Sequence, residues 1–130
     1  MDAISERNLK GVFPPLVLVV REVASNCSVH FRVVYGLRTP AEQKKNVAKG
    51  VSQTMNSMHL PQKDGYGHAI DFAVLTGGKI DWFHISNYLV VVSAFKEAAA
   101  KHNVLIRCGA DWTTLKDFGH IESPIKKGSS

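Results

Sequence analysis

The sequence is poor in the features that would mark a stapled, membrane-bound or nucleic-acid-binding chain. It has two cysteines, Cys27 and Cys108, far apart in the chain. Two are too few for a disulfide scaffold, so reduced and partly buried thiols are expected, as in a protein made in the cytosol. The longest apolar run near the N-terminus, Leu16-Val17-Leu18-Val19-Val20, is far too short to span a bilayer. The opening Met-Asp-Ala-Ile-Ser-Glu-Arg lacks the basic start and apolar run of a signal peptide. A target beyond the cytoplasm would then be reached without ordinary secretion. Internal repeats are absent. Lys and Arg are scattered apart from Lys44-Lys45 and Lys126-Lys127, and no basic stripe interleaves with aromatics, so a nucleic-acid groove is not indicated.

What remains is an ordinary globular composition of 130 residues, 45% hydrophobic and 21% charged. That length suits one domain, taken as residues 1–123 with a frayed polar tail at 124–130. The net charge of +5 fits either an anionic partner or a merely solvated surface, and both readings stay open. Residues 5–10 read as a short helical start. Pro14-Pro15 suit the first turn of a helix that runs to about Asn26. Residues 29–35 read as a strand with Phe31, Val33 and Tyr35 pointing one way. Thr39-Pro40-Ala41-Glu42 has the form of a capping box, and Gly50 of a helix stop. Residues 67–74 read as a strand followed by a Thr76-Gly77-Gly78 turn. The longest helix is predicted from Trp82 to about Asn103, with Ile85, Leu89, Val92, Phe95 and Ala99 on one stripe. Short strands follow at 104–108 and 119–122. Helices and strands do not alternate strictly, so the expected class is α+β, a small antiparallel sheet with flanking helices.

Asp71 is the most conspicuous residue. It lies in an apolar strand between Ile70 and Phe72, where a carboxylate is costly unless paired or bound to a cation. Strand parity puts Ala69, Asp71 and Ala73 on one face and His68, Ile70, Phe72 and Val74 on the other. Small neighbours leave room beside Asp71, and the same parity argues against His68 joining it. Six histidines are available. Of these, His59 opens an irregular loop, and His120 sits between Asp117 and Glu122 behind Gly119. His and carboxylate together are a donor set that zinc takes readily.

Ser57-x-His59, Gly67-x-Ala69-x-Asp71 and Asp117-x-x-His120 together resemble the LAS-type zinc peptidases, the D-Ala-D-Ala carboxypeptidase and VanY-like superfamily. The phage L-alanyl-D-glutamate endopeptidases, the endolysins, resemble it most. Supporting pieces in the same order are Tyr35-Gly36-Leu37-Arg38-Thr39, Gly78-Lys79-Ile80-Asp81-Trp82 and Gly109-Ala110-Asp111-Trp112, so the likeness covers nearly the whole chain. It implies a hedgehog/D-Ala-D-Ala peptidase-like fold and one zinc held by His59, Asp71 and His120. It implies Asp117 as the catalytic carboxylate, with Glu122 a rival that shares a strand face with His120. Arg38 would hold substrate and stabilise the oxyanion, Ser57 would contact substrate, and Trp112 would wall the cleft or pack in the core. The implied partner is bacterial peptidoglycan, cut in its stem peptide by a monomer without stable membrane insertion. The enzyme would be made in the host cytoplasm and reach the wall after the membrane is permeabilised. A D,D-carboxypeptidase or dipeptidase, or a non-catalytic wall-binding module, are the alternatives. Two departures stand out. Eleven residues, Leu60 to Ile70, separate His59 from Asp71, an insertion of about five that a surface loop tolerates if its ends still meet. The loop Thr113-Thr114-Leu115-Lys116 lacks carboxylates, so no calcium is expected.

Overall fold

The computed structural model describes residues 1–39, 41, 42, 48, 57–113 and 117–124. The expectations for Pro40, Gly50, residues 114–116 and the tail beyond 124 lie outside the described residues. The chain order is α1 (Ala3–Asn8), α2 (Pro14–Asn26), β1 (Phe31–Tyr35), β2 (Ala69–Thr76), β3 (Lys79–Asp81), α3 (Ile85–Lys101), β4 (Arg107–Cys108), a 3-10 turn (Gly109–Asp111) and β5 (His120–Glu122). Every strand pairing is antiparallel, in the order β1-β2-β5-β4, with β3 also on β2. This is the α+β class read from the sequence. Thr39 does cap as expected: its Oγ1 accepts the Glu42 N–H at 3.1 Å.

Strand β2 is the axis of the sheet. Ile70, Phe72 and Val74 are buried in the same core as Leu16, Val19, Val20 and Val23 of α2 and Val91 and Phe95 of α3. Phe72 is its centre, with Phe31, Tyr88 and Phe95 rings 5.5–5.7 Å away. Each such buried side chain stabilises by about 1.5–3 kcal/mol. Asp71 lies on the opposite parity, as predicted. Among the described residues no helix is long and apolar enough to cross a membrane. Cys27 caps the end of α2, Cys108 lies in β4, and both thiols are free. Burial, with the Asp111 charge nearby, pushes the Cys108 thiol up to about 11.

Three sequence expectations need correction. Tyr35 does not share the face of Phe31 and Val33. The register shifts between Val33 and Tyr35, so Tyr35 turns outward and is 58% exposed. Helix α1 stabilises this irregular edge: the Asn8 side-chain amide donates to the carbonyls of Val33 (3.0 Å) and Val34 (3.3 Å), and Ser5 Oγ accepts the Val33 N–H (2.9 Å). The long helix begins at Ile85, not Trp82. Asp81 ends β3 and its carboxylate accepts the N–H groups of Phe83 (2.9 Å) and His84 (3.3 Å), which turns the chain before the helix starts. Of the predicted stripe, Val92, Phe95 and Ala99 are buried and the first two positions are not. Tyr88, Val91, Val92, Phe95, Ala98 and Ala99 are buried, while Ile85 and Leu89 are exposed. Strand β3 and the 3-10 turn were not foreseen, since three residues carry too little periodicity.

Close backbone packing depends on particular glycines. A Cβ on Gly36 would run into the Asn8 carbonyl oxygen, and one on Gly119 into the Phe72 carbonyl oxygen. Gly119→Ala is expected to lower stability by about 2–4 kcal/mol, because a backbone atom of the central strand would have to move. Gly77 has open space around it and only a positive φ of 59° to oppose a side chain, so Gly77→Ala should cost about 1 kcal/mol. Urea midpoints of the two variants check this; equal losses would mean that the contact with Phe72 is not what Gly119 serves.

Candidate metal centre

Strand register assembles the site. Asp71 on β2 stands opposite Tyr35 on β1 and opposite His120 on β5. Gly119 lets β5 approach, its carbonyl accepting the Phe72 N–H at 2.8 Å. The His120 ring then lies with Nδ1 3.0 Å from Asp71 Oδ1. His59 arrives from the loop. Its backbone carbonyl accepts the Arg38 N–H at 2.8 Å, and its Nε2 lies 3.2 Å from Asp71 Oδ2. One ligand atom from each of His59, Asp71 and His120 falls within 4.8 Å of the others, so the three could hold a metal ion.

Hydrogen-bond arithmetic says what this triad wants. His59 Nδ1 lies 2.8 Å from the Gly36 carbonyl. A carbonyl only accepts, so Nδ1 must carry the proton and Nε2 of a neutral ring is a bare acceptor. That bare nitrogen faces a carboxylate oxygen. His120 Nε2 is likewise engaged by Glu122 Oε1 at 2.7 Å, leaving Nδ1 toward Asp71. Two imidazole nitrogens and a carboxylate therefore converge as acceptors, and only a cation or a proton between them relieves the repulsion. A proton on His120 is favoured there. Burial disfavours the His120 imidazolium, yet hydrogen bonds to Asp71 and Glu122 outweigh it and raise the ring to about 9. Burial likewise opposes ionisation of Asp71, but the two imidazoles hold its carboxyl well below the usual range.

The surrounding residues divide by environment. Glu122 is buried and both its oxygens are engaged, one by His120 and the other by Arg107 Nη2 at 2.8 Å. Those bonds overcome its burial and hold its carboxyl down. Asp117 is different. Its Oδ1 accepts the Gly119 N–H at 3.3 Å, and crowding by the protein, together with the Asp71 charge, raises its carboxyl. It lines the same cleft as Asp71. Arg38 lies over the Tyr35 ring, its guanidinium carbon 5.6 Å from the centroid. Ser57 Oγ accepts the His59 N–H at 3.2 Å, so it shapes the turn that presents His59. The Trp112 ring lies 5.1 Å from that of His120.

His68 is kept away from the triad, as strand parity required. Its Nδ1 lies 3.0 Å from the Ser123 carbonyl and its Nε2 2.7 Å from Asp64 Oδ2, while Phe13 stacks on the ring at 4.1 Å. Asp64 belongs to the inserted loop, which closes on itself through Gln62 N–H to Tyr66 O (2.9 Å) and Gly65 N–H to Gln62 O (2.8 Å). The insertion is thus a pinned surface turn, and His59 still reaches Asp71. Sequence reasoning missed Gly36 and Tyr35 as site residues. Both stand in the Tyr35-Gly36-Leu37-Arg38-Thr39 piece of the resemblance, but the role of the Gly36 carbonyl needs the three-dimensional path.

Comparison with known proteins gives the chain's family. The family described as phage L-alanyl-D-glutamate peptidase matches residues 1–128. The L-alanyl-D-glutamate peptidase of Escherichia phage T5 is 36% identical over 128 residues, which cover 96% of this chain and 88% of that protein. The L-alanyl-D-glutamate peptidase of Listeria phage A118 is 33% identical over 91 residues, 69% of this chain but 29% of that longer protein. Among solved structures, the L-Ala D-Glu endopeptidase ChiX of Serratia marcescens superposes with a TM-score of 0.85 at 36% identity, covering 95% of this chain and 89% of that one. The chain belongs to the phage L-alanyl-D-glutamate peptidase family.

Proposed function

We propose that this chain is a zinc-dependent peptidoglycan hydrolase that cuts the stem peptide between L-Ala and D-Glu. The observation that carries the reading is the convergence of His59 Nε2, Asp71 and His120 Nδ1 as three acceptors, in a chain whose family carries that peptidase activity in its description. Two imidazoles and one carboxylate fit zinc with a position left for water. Held there, zinc supplies a Lewis acid that polarises the scissile carbonyl and makes water nucleophilic near neutral pH.

The protein groups do the rest. Asp117, with its raised carboxyl, takes a proton from the attacking water and returns it to the leaving amine as the C–N bond breaks. Arg38 donates to a substrate carboxylate or to the developing oxyanion. Ser57 and Trp112 border the substrate. Glu122 acts through His120, fixing its ring and the tautomer it presents. The enzyme works as a monomer and meets the wall once a separate factor permeabilises the membrane. An insertion that displaced His59 would favour a non-catalytic module; the 3.2 Å from His59 Nε2 to Asp71 Oδ2 supports the catalytic reading instead. A D,D-carboxypeptidase would release free D-Ala from stem peptides, whereas the proposed enzyme frees a D-Glu amino terminus.

Chelation should abolish amine release from purified peptidoglycan, and zinc should restore it; full activity in the metal-free protein would exclude the reading. Asp117→Asn should keep bound zinc but lower kcat by about 10²–10⁴-fold. Glu122→Gln should instead weaken zinc binding by about 10–100-fold, with activity recovered at high zinc. A zinc-loaded Glu122→Gln enzyme without turnover, beside an active Asp117→Asn, would reverse the two roles.

Metal uptake should also release protons. A folded pKa near 9 for His120, against an ordinary 6.5, means that the metal-free ring is charged at neutral pH and must lose its proton to bind. Calorimetry in two buffers of different ionisation enthalpy should find about one proton released at pH 7–8, falling as pH passes 9. The linked stability of the metal-free protein has the same sign. It is fully present below the unfolded pKa and is lost as pH rises through about 9. No proton release at pH 7 would mean that His120 is already neutral.

A further inference from the structure

Resting on that reading, we propose that Tyr35 is the positioning residue that sets Arg38 against the free carboxylate of D-Glu, so that the enzyme selects stem peptides whose D-Glu carboxyl is ionised over those in which it is amidated. Tyr35 stands opposite Asp71 in the sheet and lines the same cleft as Asp71 and Asp117. Its ring is 58% exposed. The Arg38 guanidinium lies over that ring, its carbon 5.6 Å from the centroid, within the range of a cation–π contact. The cation is thus laid on an aromatic wall of the reactive cleft.

The backbone is built to present this pair. A regular strand would put Tyr35 on the core face with Phe31 and Val33. The register of β1 instead shifts between Val33 and Tyr35, and an irregularity of that kind re-aims the side chain that follows it. The Asn8 side-chain amide supports the irregular stretch through the Val33 and Val34 carbonyls. The residues that come next serve the metal centre. The Gly36 carbonyl lies 2.8 Å from His59 Nδ1, and the Arg38 N–H donates to the His59 carbonyl at 2.8 Å. Arg38 is therefore tied by its backbone to a triad residue and by its side chain to Tyr35. A tyrosine turned out of the core in this way serves the site rather than the stability of the sheet.

The chemistry of the guanidinium picks the ligand. Held over a ring, it is steadied on one face, and its fork of N–H donors matches the two oxygens of a carboxylate. An oxyanion offers that fork one oxygen only. In the stem peptide the chain continues through the D-Glu side-chain carboxyl, so the α-carboxyl is left free. That group is carried on the carbon bonded to the scissile nitrogen, close to the bond that is cut. A cation tied to His59 and laid on the cleft wall is placed to meet it. Amidation removes the charge and replaces one acceptor oxygen by an NH₂ donor, which the guanidinium donors oppose.

The test compares two substrates in the zinc-loaded enzyme: N-acetyl-L-Ala-D-Glu-diamino acid with the D-Glu α-carboxyl free, and the same peptide with that carboxyl amidated. Wild type should prefer the free carboxylate about tenfold in kcat/KM, the size of one hydrogen bond to a charged group. Tyr35→Leu should cut that preference about two- to fivefold, mainly through KM, as the loss of an exposed cation–π contact does. Tyr35→Phe keeps the ring and should retain the preference. Arg38→Ala should abolish it, and Tyr35→Leu added to Arg38→Ala should change the ratio no further. Zinc affinity, read by competition with a chromophoric chelator, should be the same in Tyr35→Leu as in wild type. The exposure of Tyr35 makes these variants compatible with folding, which circular dichroism checks. No preference in the wild type, or an unchanged preference in Tyr35→Leu, overturns the inference and leaves the proposed function standing. So does a Tyr35→Leu loss that is equal for both peptides and persists without Arg38, which would make Tyr35 a plain wall. Weakened zinc binding in Tyr35→Leu also overturns it, by assigning Tyr35 to the metal instead of Arg38. Wild type that cleaves neither peptide brings down the proposed function, and this inference with it.

Discussion

A carboxylate set in the middle strand of a sheet, between two imidazoles, is the constraint on which the rest of this structure depends. Asp71 shares β2 with Ile70, Phe72 and Val74, all of them in the core. Burying its charge alone would cost several kcal/mol. His59 and His120 offset that cost, and each is itself oriented from behind, by the Gly36 carbonyl and by Glu122. The hydrogen bonds to Asp71 and Glu122 outweigh burial and raise the affinity of the His120 ring for a proton, which gives the Asp71 carboxylate a counter-charge within the fold.

Bringing those groups together demands backbone approaches that side chains would prevent. Gly36 lies against Asn8, Gly109 against the Asp117 carbonyl, and Gly119 against the Phe72 carbonyl. Each of these contacts sits next to a functional group: Gly36 holds His59, Gly109 backs the Asp117 turn, and Gly119 admits His120. Helix α1, remote from the chemistry, still matters to it, because Asn8 and Ser5 satisfy the irregular edge that turns Tyr35 into the cleft. The inserted turn adds a second support. His68 ties Asp64 to the Ser123 carbonyl, one residue beyond Glu122.

Much of the frame was legible locally. The Pro14 start of α2, the strand around Asp71 and the parity that separated Asp71 from His68 follow from single-residue stereochemistry and period-2 alternation. The triad was legible through an unusual residue, a carboxylate in an apolar strand, and through a resemblance that named its partners. What was not legible rests on contacts distant in sequence. The outward turn of Tyr35 comes from a register shift that Asn8 and Ser5 stabilise. On α3 the predicted stripe is buried at Val92, Phe95 and Ala99 but not at Ile85 and Leu89, which are as apolar as Val91 and yet lie outside the core. The paired state of Glu122 depends on Arg107, fifteen residues away.

The two carboxylates beside His120 show why environment, not proximity, assigns a role. Glu122 is two residues from His120 and Asp117 three, and from sequence either suits a base. Glu122 sits inside the sheet with one oxygen on His120 and the other on Arg107, and these bonds hold its carboxyl down against its burial. Asp117 sits at the cleft beside the Asp71 charge, with its carboxyl raised toward the range where it can exchange a proton. Pairs of acids pushed apart in this way mark the division between a group that holds and a group that transfers. A bound cation would offset the Asp71 charge that Asp117 feels, and so lower the Asp117 carboxyl. The affinity of Asp117 for a proton is therefore tied to the charge carried by its neighbour Asp71.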